Sequence, residues 1–293
     1  MLKWLSMAPP PVIFDRALLR ARLRRAQALG PSTFLLDRVA EDVADRLSVV
    51  LRRFENAADL GTPGDSLRRV LAASGKAGTV AAADIPADDE ALPFGEASLD
   101  LVVSGLALQF VNDLPGMLIQ IRRALKPDGL LLAALTGGDT LTELRQSFAA
   151  AEAEIEDGVS PRVAPFADVR DMGGLLQRAG FALPVTDADR LTVRYASPLA
   201  LMHDLRRMGA TNALVERHRQ PLRRATLARM LEIYAARFGE VDGRIRATFE
   251  IVWLSGWAPH ASQQQPLKPG SAQTRLADAL KTKEISAGEK TGR

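Results

Sequence analysis

A short, nearly continuous apolar stretch at Leu130–Leu135 constrains the fold of this chain more than any other feature. It has the length of a β-strand, and it follows the sequence KPDG at 126–129, which ends a helix expected over Leu114–Leu125. A strand that is apolar at nearly every position is expected where helices cover both faces of a parallel sheet. The stretch therefore predicts a layered α/β protein.

Short apolar segments alternate with helical segments through the first half of the chain. Besides 130–135, strands are expected at 57–60, 80–84 and 98–104, and the spacing of apolar residues predicts two helices within 11–55. This alternation is typical of a doubly wound, mostly parallel sheet, because each parallel crossover needs a helix. We therefore expect these four strands to run parallel.

The second half of the chain predicts a looser organisation. Helices are expected at 141–156, 172–179, 198–208 and 223–238, and strands at 191–195 and 247–254. Gln, Lys, Pro, Gly and Ser dominate from residue 263 onward, which indicates disorder. The expected organisation is a helical cap over 1–55, a sheet domain over 56–262 with a helical insertion near 198–240, and a disordered tail over 263–293.

Composition excludes several classes of protein. The 293 residues include no cysteine, which removes disulfides, thiolate nucleophiles and Cys-ligated metals, and the three histidines are scattered, so no metal site is expected. The net charge is only +3 and aromatic residues make up 5%, which argues against a nucleic-acid-binding surface. No apolar run approaches the roughly 18–20 residues of a transmembrane helix. We expect a cytoplasmic protein; the alternative is the mitochondrial matrix, with the Arg-rich first 29 residues as a presequence.

A glycine-rich turn after the first predicted strand is the main candidate binding site. Residues 59–64 read DLGTPG and lie between a strand and a helix, where free helix N–H groups and the small residues Gly61 and Gly64 let a ligand approach. Asp84 follows Gly61 by 23 residues, close to the spacing expected for an acid that binds ribose hydroxyls. A tight turn without a ligand is the alternative.

Two further segments resemble class I S-adenosylmethionine-dependent methyltransferases. The acidic segment ADDEALPF at 87–94, with the strand that follows it, is similar to the fourth-strand region of that family, and KPDGL at 126–130 is similar to the turn before its fifth strand. The resemblance implies a Rossmann-like fold with S-adenosylmethionine as cofactor. It implies the following contacts: Asp59, Gly61 and Gly64 for the methionine end, Asp84 for the ribose, Asp88 for the adenine, and Ser104 as a further contact.

A second set of motifs narrows the resemblance. IFDR at 13–16, VNDLP at 111–115, GGDTL at 137–141 and RAGF at 178–181 are similar to the methyltransferase-like assembly factors of mitochondrial respiratory complex I and their bacterial relatives. The similarity runs from about residue 13 to about residue 260. It implies modification of a protein substrate, such as an NADH dehydrogenase subunit, and arginine hydroxylation is attributed to the mitochondrial relative. The malonyl-carrier methyltransferase of biotin synthesis is a more distant resemblance.

Three polar residues after the strand at 130–135 are candidates for a face toward the substrate. Asp139, Glu143 and Arg145 follow the carboxyl end of that strand, where ligands bind in doubly wound sheets. In the alternative interpretation, Asp139 caps the next helix and Glu143 and Arg145 lie on a solvated helix face.

Two features depart from the family pattern. Either Pro63 replaces the middle glycine of the cofactor turn, which then loses one N–H donor, or one residue of the turn is deleted and Pro63 and Gly64 keep its end. Only three residues separate Asp84 from Asp88, too few for a helix and a strand, so the sheet can lack its third, edge strand. Two functions therefore stay open: an enzyme that modifies a protein side chain, and an assembly chaperone that has kept the fold but lost the cofactor.

The densest positive stretch of the chain lies in the first predicted helix and comprises Arg16, Arg20, Arg22, Arg24 and Arg25. Arg16, Arg20 and Arg24 repeat every four residues and therefore share one helix face. This face is either a solvated surface, or it docks a protein partner or closes over the active cleft.

Overall fold

The computed structural model describes residues 11–86, 90–156, 158–166, 168–264, 278 and 281–282. Residues up to Pro259 belong to one compact unit, and His260–Arg293 belong to a second. The expected tail over 263–293 lies almost entirely outside the described residues, and Asp88 also lies outside them. The boundaries expected for the cap, the sheet domain and the insertion stay predictions.

A six-stranded sheet forms the centre of the first unit. Its strands are β1 (Phe54–Leu60), β2 (Ala77–Ala83), β3 (Leu99–Gly105), β4 (Leu125–Thr136), β5 (Ala182–Tyr195) and β6 (Ile245–Trp257). Their order across the sheet is β2-β1-β3-β4-β6-β5. The first four strands pair in parallel, and β6 runs antiparallel to both of its neighbours. The predicted doubly wound, mostly parallel sheet is thereby confirmed.

Eight α-helices are described. They are α1 (Arg16–Ala28), α2 (Phe34–Ser48), α3 (Ser66–Ala73), α4 (Leu114–Ala124), α5 (Thr142–Ile155), α6 (Val169–Arg178), α7 (Pro198–Arg207) and α8 (Arg224–Phe238). Those from α2 to α8 contribute to the two cores that cover the faces of this sheet. Successive residues of β3 alternate between two cores, with Leu101 on the side of α2, α3, α5 and α8, and Val102 on the side of α4 and α6. The second helix of the expected cap is thus part of a core layer, since Val39 and Val43 are fully buried there.

The third strand of the usual methyltransferase sheet is missing from the described residues. After β2 the chain passes through 84–86 and 90–98 without entering a strand. Among the described residues, β2 pairs only with β1 and forms the edge of the sheet. The short spacing after Asp84 predicted this loss.

The beginnings of β4 and β5 differ most from the positions that the sequence predicted. The KPDG segment, expected as a turn before the strand, lies within β4, because Leu125 already pairs with Leu99 before a register shift. Lys126 Nζ lies 3.0 Å from Asp100 Oδ1, and this ion pair joins the two strands at that point. Strand β5 begins at Ala182 instead of near 191, because it pairs along most of its length with β6.

Candidate functional site

A cavity of about 1240 Å³ opens at the carboxyl ends of β1, β2 and β4. The glycine turn, the residues after β2 and β3, and Thr136 at the end of β4 line one side of it, and α1 and the segment after α7 line the other. Small-molecule sites typically measure roughly 300–1,000 Å³. This cavity therefore has room for a small cofactor and for a substrate group beside it.

The glycine turn at 61–64 has a backbone conformation that only glycine adopts readily. Gly61 and Gly64 have φ values of +71° and +76°. A Cβ added to Gly61 would lie 3.0 Å from Ile85 Cδ1, whereas one added to Gly64 would meet no atom within 4 Å. Thr62 fixes the turn, since its Oγ1 accepts a hydrogen bond of 2.8 Å from the N–H of Gly105. Gly64 thus faces open space on a wall of the cavity.

Asp59 lies behind this turn at the end of β1 and is 1% exposed. Its Oδ2 lies 3.2 Å from Arg68 Nη1, and Arg68 lines the cavity. Its Oδ1 is buried and has no hydrogen-bond partner in the described part of the chain. Burial raises the pKa of Asp59, while Thr62 and Arg68 oppose that rise. The carboxylate is therefore a buried acceptor with one oxygen left open.

Three other buried polar atoms without partners belong to residues that line the cavity, whereas Asp59 itself is not among the lining residues. They are Thr136 Oγ1, Gln109 Oε1 and Thr211 Oγ1. Each is buried and has no hydrogen-bond partner among the described residues. Buried polar groups in native proteins are nearly always paired, so a cluster of exceptions needs an explanation. A polar ligand in this cavity supplies one.

The other predicted cofactor residues have different positions. Asp84 follows β2, is exposed and lines the cavity, as a ribose contact requires. Ser104 does not line it; the side chain is fully buried and its Oγ donates a hydrogen bond of 2.8 Å to the carbonyl of Leu60. The hydroxyl therefore joins β1 to β3, which corrects its expected role as a cofactor contact. Asp88, the expected adenine contact, lies outside the described residues.

The three expected substrate-facing residues do not line the cavity, and each has a structural partner instead. Asp139 forms an ion pair with Arg190 of β5. Glu143 is 3% exposed and accepts hydrogen bonds from the N–H of Thr248 at 3.0 Å and from its hydroxyl at 2.6 Å. Arg145 donates to the carbonyls of Gly138 and Thr140. Glu143 thus lies neither in the cleft nor on a solvated helix face, and both expectations for it were wrong.

Helix α1 lies along the cavity and is tied to the loop after β3. Asn112 Oδ1 accepts hydrogen bonds from the N–H groups of Ile13 and Phe14 at 2.9 and 2.8 Å. Arg16 donates to the carbonyls of Phe110 and Ile85 at 3.1 and 3.0 Å. The motifs at 13–16 and 111–115, recognised separately in the sequence, therefore meet here. The contact closes one side of the cavity.

Sequence reasoning missed the arginines that reach the cavity from outside α1. Arg68, Arg162, Arg207 and Arg217 all line it, although they are spread over four separate segments. No local pattern could have grouped them. Among the described residues, no group of three or more His, Asp or Glu side chains is arranged to hold a metal ion. Within the same residues, no helix is both long and apolar enough to cross a membrane.

The strand order, the single antiparallel strand between two others and the glycine turn at the carboxyl edge define a Rossmann-like methyltransferase fold. Consistent with this class, residues 59–133 match the family described as "Methyltransferase domain". The malonyl-[acyl-carrier protein] O-methyltransferase of Laribacter hongkongensis is 40% identical over 212 residues, which cover 72% of this chain and 66% of that protein.

More extensive similarity is found with arginine-hydroxylase NDUFAF5, a protein described as mitochondrial. The Danio rerio protein is 37% identical over 297 residues, which cover 94% of this chain and 92% of the relative. The Homo sapiens protein is 37% identical over 286 residues, which cover 91% and 83%. This chain belongs to the NDUFAF5 family, and the resemblance inferred from the sequence motifs is confirmed.

Proposed function

We propose that this protein binds S-adenosylmethionine beside the glycine turn and modifies a side chain of a protein partner, an NADH dehydrogenase subunit, during assembly of respiratory complex I. The observation that carries the proposal is the open oxygen of Asp59 directly behind a glycine turn that lines the cavity. Membership of the NDUFAF5 family, whose members are named arginine-hydroxylases, supports the assembly role and a protein substrate.

The residues at this edge of the sheet fit S-adenosylmethionine. The backbone at Gly64 is open to the cavity, so a ligand can approach it closely. Asp59 offers an acceptor to a group with N–H donors, and Asp84 reaches the cavity from the neighbouring strand. We assign Asp59, Gly61 and Gly64 to the methionine end and Asp84 to the ribose, and Asp88 remains a predicted adenine contact.

When bound, S-adenosylmethionine supplies an electrophilic methyl group. The chain itself positions the ligand: the turn holds the backbone at Gly61 and Gly64 in place, and the N–H of Gly105 fixes Thr62. Helix α1, tied down by Asn112 and Arg16, excludes water from the adjoining wall. The relatives are named both hydroxylases and methyltransferases, so mass spectrometry of the partner subunit must decide which group is added.

Calorimetric titration with S-adenosylmethionine tests the proposal. The Asp59→Ala variant removes a charged acceptor worth on the order of 1.5–3 kcal/mol, so the affinity should fall roughly tenfold to a hundredfold. Asp100→Asn is the matched control, because Asp100 is also a partly buried carboxylate of this sheet but pairs with Lys126 at the opposite end of β3. An Asp59 variant that binds as tightly as the unaltered protein would show that the turn is not the site.

The alternative is an assembly chaperone without a cofactor. Pro63 supports it, because the residue removes one N–H donor from the turn. So does the missing strand beyond β2 in the described residues, since that strand would form part of the adenine wall. Failure of the unaltered protein to bind S-adenosylmethionine would support this alternative.

The location of the protein remains a prediction. Composition led us to expect the cytoplasm. The relatives' description as mitochondrial supports the alternative, the mitochondrial matrix. Localisation of a tagged protein in its own cell would distinguish the two.

A further inference from the structure

The cavity beside the glycine turn is strongly positive. Eight arginines line it, whereas Asp65 and Asp84 are its only acidic lining residues among those described. The net charge of the whole chain is only +3, so this excess is local. Charges of one sign that line a concave surface raise the local concentration of ligands of the opposite sign.

Ion pairs within the protein neutralise half of these arginines. Four of them lie within 4.0 Å of a carboxylate, as Arg68 does with Asp59 and Arg217 with Asp15. The other four have no ion pair among the described residues, and they are Arg20, Arg22, Arg24 and Arg207. Arg20 and Arg24 share one face of α1, Arg22 lies about 200° around that helix, and Arg207 ends α7, so α1 and the end of α7 form the wall that carries the unneutralised charge.

The two elements of this wall are joined directly. Arg207 Nε donates a hydrogen bond of 2.7 Å to the carbonyl of Gly30, and the carbonyl of Arg207 accepts one of 3.2 Å from Ser32. Arg22 donates to the carbonyl of Asn212. These contacts occupy only part of each guanidinium, which carries five N–H donors. Arg20 and Arg24 are exposed at the rim.

Like charges also lie close together on this wall. Burial lowers the pKa of Arg22, the positive charges of Arg217 and Arg25 lower it further, and the negative charge of Asp15 opposes them. The Arg25 Nε is buried and has no hydrogen-bond partner in the described part of the chain. Gathering positive charges in a partly buried wall is unfavourable unless an anion offsets their repulsion. The arrangement is the kind that a bound anion stabilises.

We propose that Arg20 and Arg24, on their shared face of α1, bind an anionic group of the substrate, a carboxylate or a phosphate, and that Arg22 and Arg207 add to the positive potential of the cavity. The inference rests on the proposed function, because it names the chemistry of the substrate that enters beside the cofactor. The planar guanidinium matches both oxyanions with paired N–H donors. The same wall repels a cationic side chain, so the arginine in the relatives' name cannot occupy it and must enter from another side.

Calorimetric titrations with sodium succinate and sodium phosphate, at an ionic strength held constant with sodium chloride, test this inference. We expect binding of one or both anions, weakened about tenfold or more in the double variant Arg20→Gln/Arg24→Gln. The variant Arg20→Lys/Arg24→Lys keeps the charge but loses the planar fork, and its affinity should be intermediate. Succinate binding without phosphate binding identifies a carboxylate, and the reverse identifies a phosphate.

The double variant Arg53→Gln/Arg170→Gln is the matched control, because both arginines are distant in sequence from α1 and do not line the cavity. Its affinity should stay within about twofold of the unaltered protein. Equal weakening in the control, or unchanged binding in Arg20→Gln/Arg24→Gln, would overturn the proposal. So would displacement of the anion by S-adenosylmethionine, because the wall would then belong to the cofactor. The anion titration is done without S-adenosylmethionine, so its outcome is independent of cofactor binding.

Discussion

Two buried carboxylates near the same edge of the sheet differ in how completely they are paired. Glu143, on α5, has both oxygens occupied by Thr248 of β6. Asp59, at the end of β1, has one oxygen near Arg68 and the other without a partner among the described residues. Burial alone therefore does not separate structural from functional carboxylates. The unpaired oxygen distinguishes the two, and the role proposed for Asp59 depends on it.

Glu152 provides a second example of the fully paired kind. It is 1% exposed and accepts hydrogen bonds from the N–H and hydroxyl of Ser160, both at 2.8 Å, and from Arg162. Burial alone would raise the pKa of Glu152, but these hydrogen bonds hold it below the ordinary value. Asp59 shows the opposite direction, since burial raises its pKa.

The largest expected effect is the loss of stability in a Glu143 variant compared with an Asp59 variant. Glu143→Ala leaves two donors of the half-buried Thr248 without their acceptor and should lower the free energy of unfolding by about 2–4 kcal/mol. Asp59→Ala should cost much less, because it loses its contacts with Arg68 and Thr62 but leaves no pair of donors without an acceptor. Urea unfolding measures both. Equal losses in the two variants would mean that Asp59 is as much a structural residue as Glu143.

Alanine variants of Gly61 and Gly64 separate the structural role of the turn from its proposed role in binding. Both have positive φ, so alanine at either position should cost about 1–2 kcal/mol. Gly61→Ala should cost more than Gly64→Ala, because its methyl group would also press on Ile85 and Ala107. Gly64→Ala should instead weaken binding of S-adenosylmethionine, since its methyl group would extend toward the cavity. Thermal unfolding and calorimetry measure the two effects, and the reverse order of stabilities would contradict the assignment.

The smallest expected effect is an opposite dependence of stability on pH. The folded pKa of Glu152 lies below its ordinary 4.5, so its contribution is present above that pH and is lost as the pH falls through the folded value. The folded pKa of Asp59 lies above its ordinary 3.8, so its ionisation destabilises the fold, and stability returns as the pH falls through the folded value.

Unfolding free energies of Glu152→Gln and Asp59→Asn, each compared with the unaltered protein between pH 3 and 7, measure this dependence. The unaltered protein should exceed Glu152→Gln in unfolding free energy by less as the pH falls. Any excess in unfolding free energy of Asp59→Asn over the unaltered protein should also disappear as the pH falls. Curves of the same sign would show that the two carboxylates have equivalent surroundings.

The sequence predicted the parallel half of the sheet because its strands are apolar on both faces, as in Leu130–Leu135. It located β5 only in part, because that strand lies at the sheet edge and carries exposed positions such as Asp189 within it. It also predicted the glycine turn and Asp84, since these follow directly from a strand end. What it could not predict was pairing across the fold: Glu143 depends on Thr248, 105 residues later. The arginine wall likewise assembles from α1 and α7, which no local pattern connects.

The missing third strand affects how fast the backbone amides of β2 exchange their hydrogens with solvent. Strand β2 has the sequence AGTVAAA, without a charge or a proline, and one side of its backbone meets no strand among the described residues. Amides on that side exchange their hydrogens with solvent without waiting for the sheet to open, whereas those bonded to β1 wait for local unfolding. The amide exchange rate is therefore expected to alternate from one residue of β2 to the next. We therefore expect the fastest exchange within the parallel strands at this edge, on the side of β2 that meets no strand among the described residues.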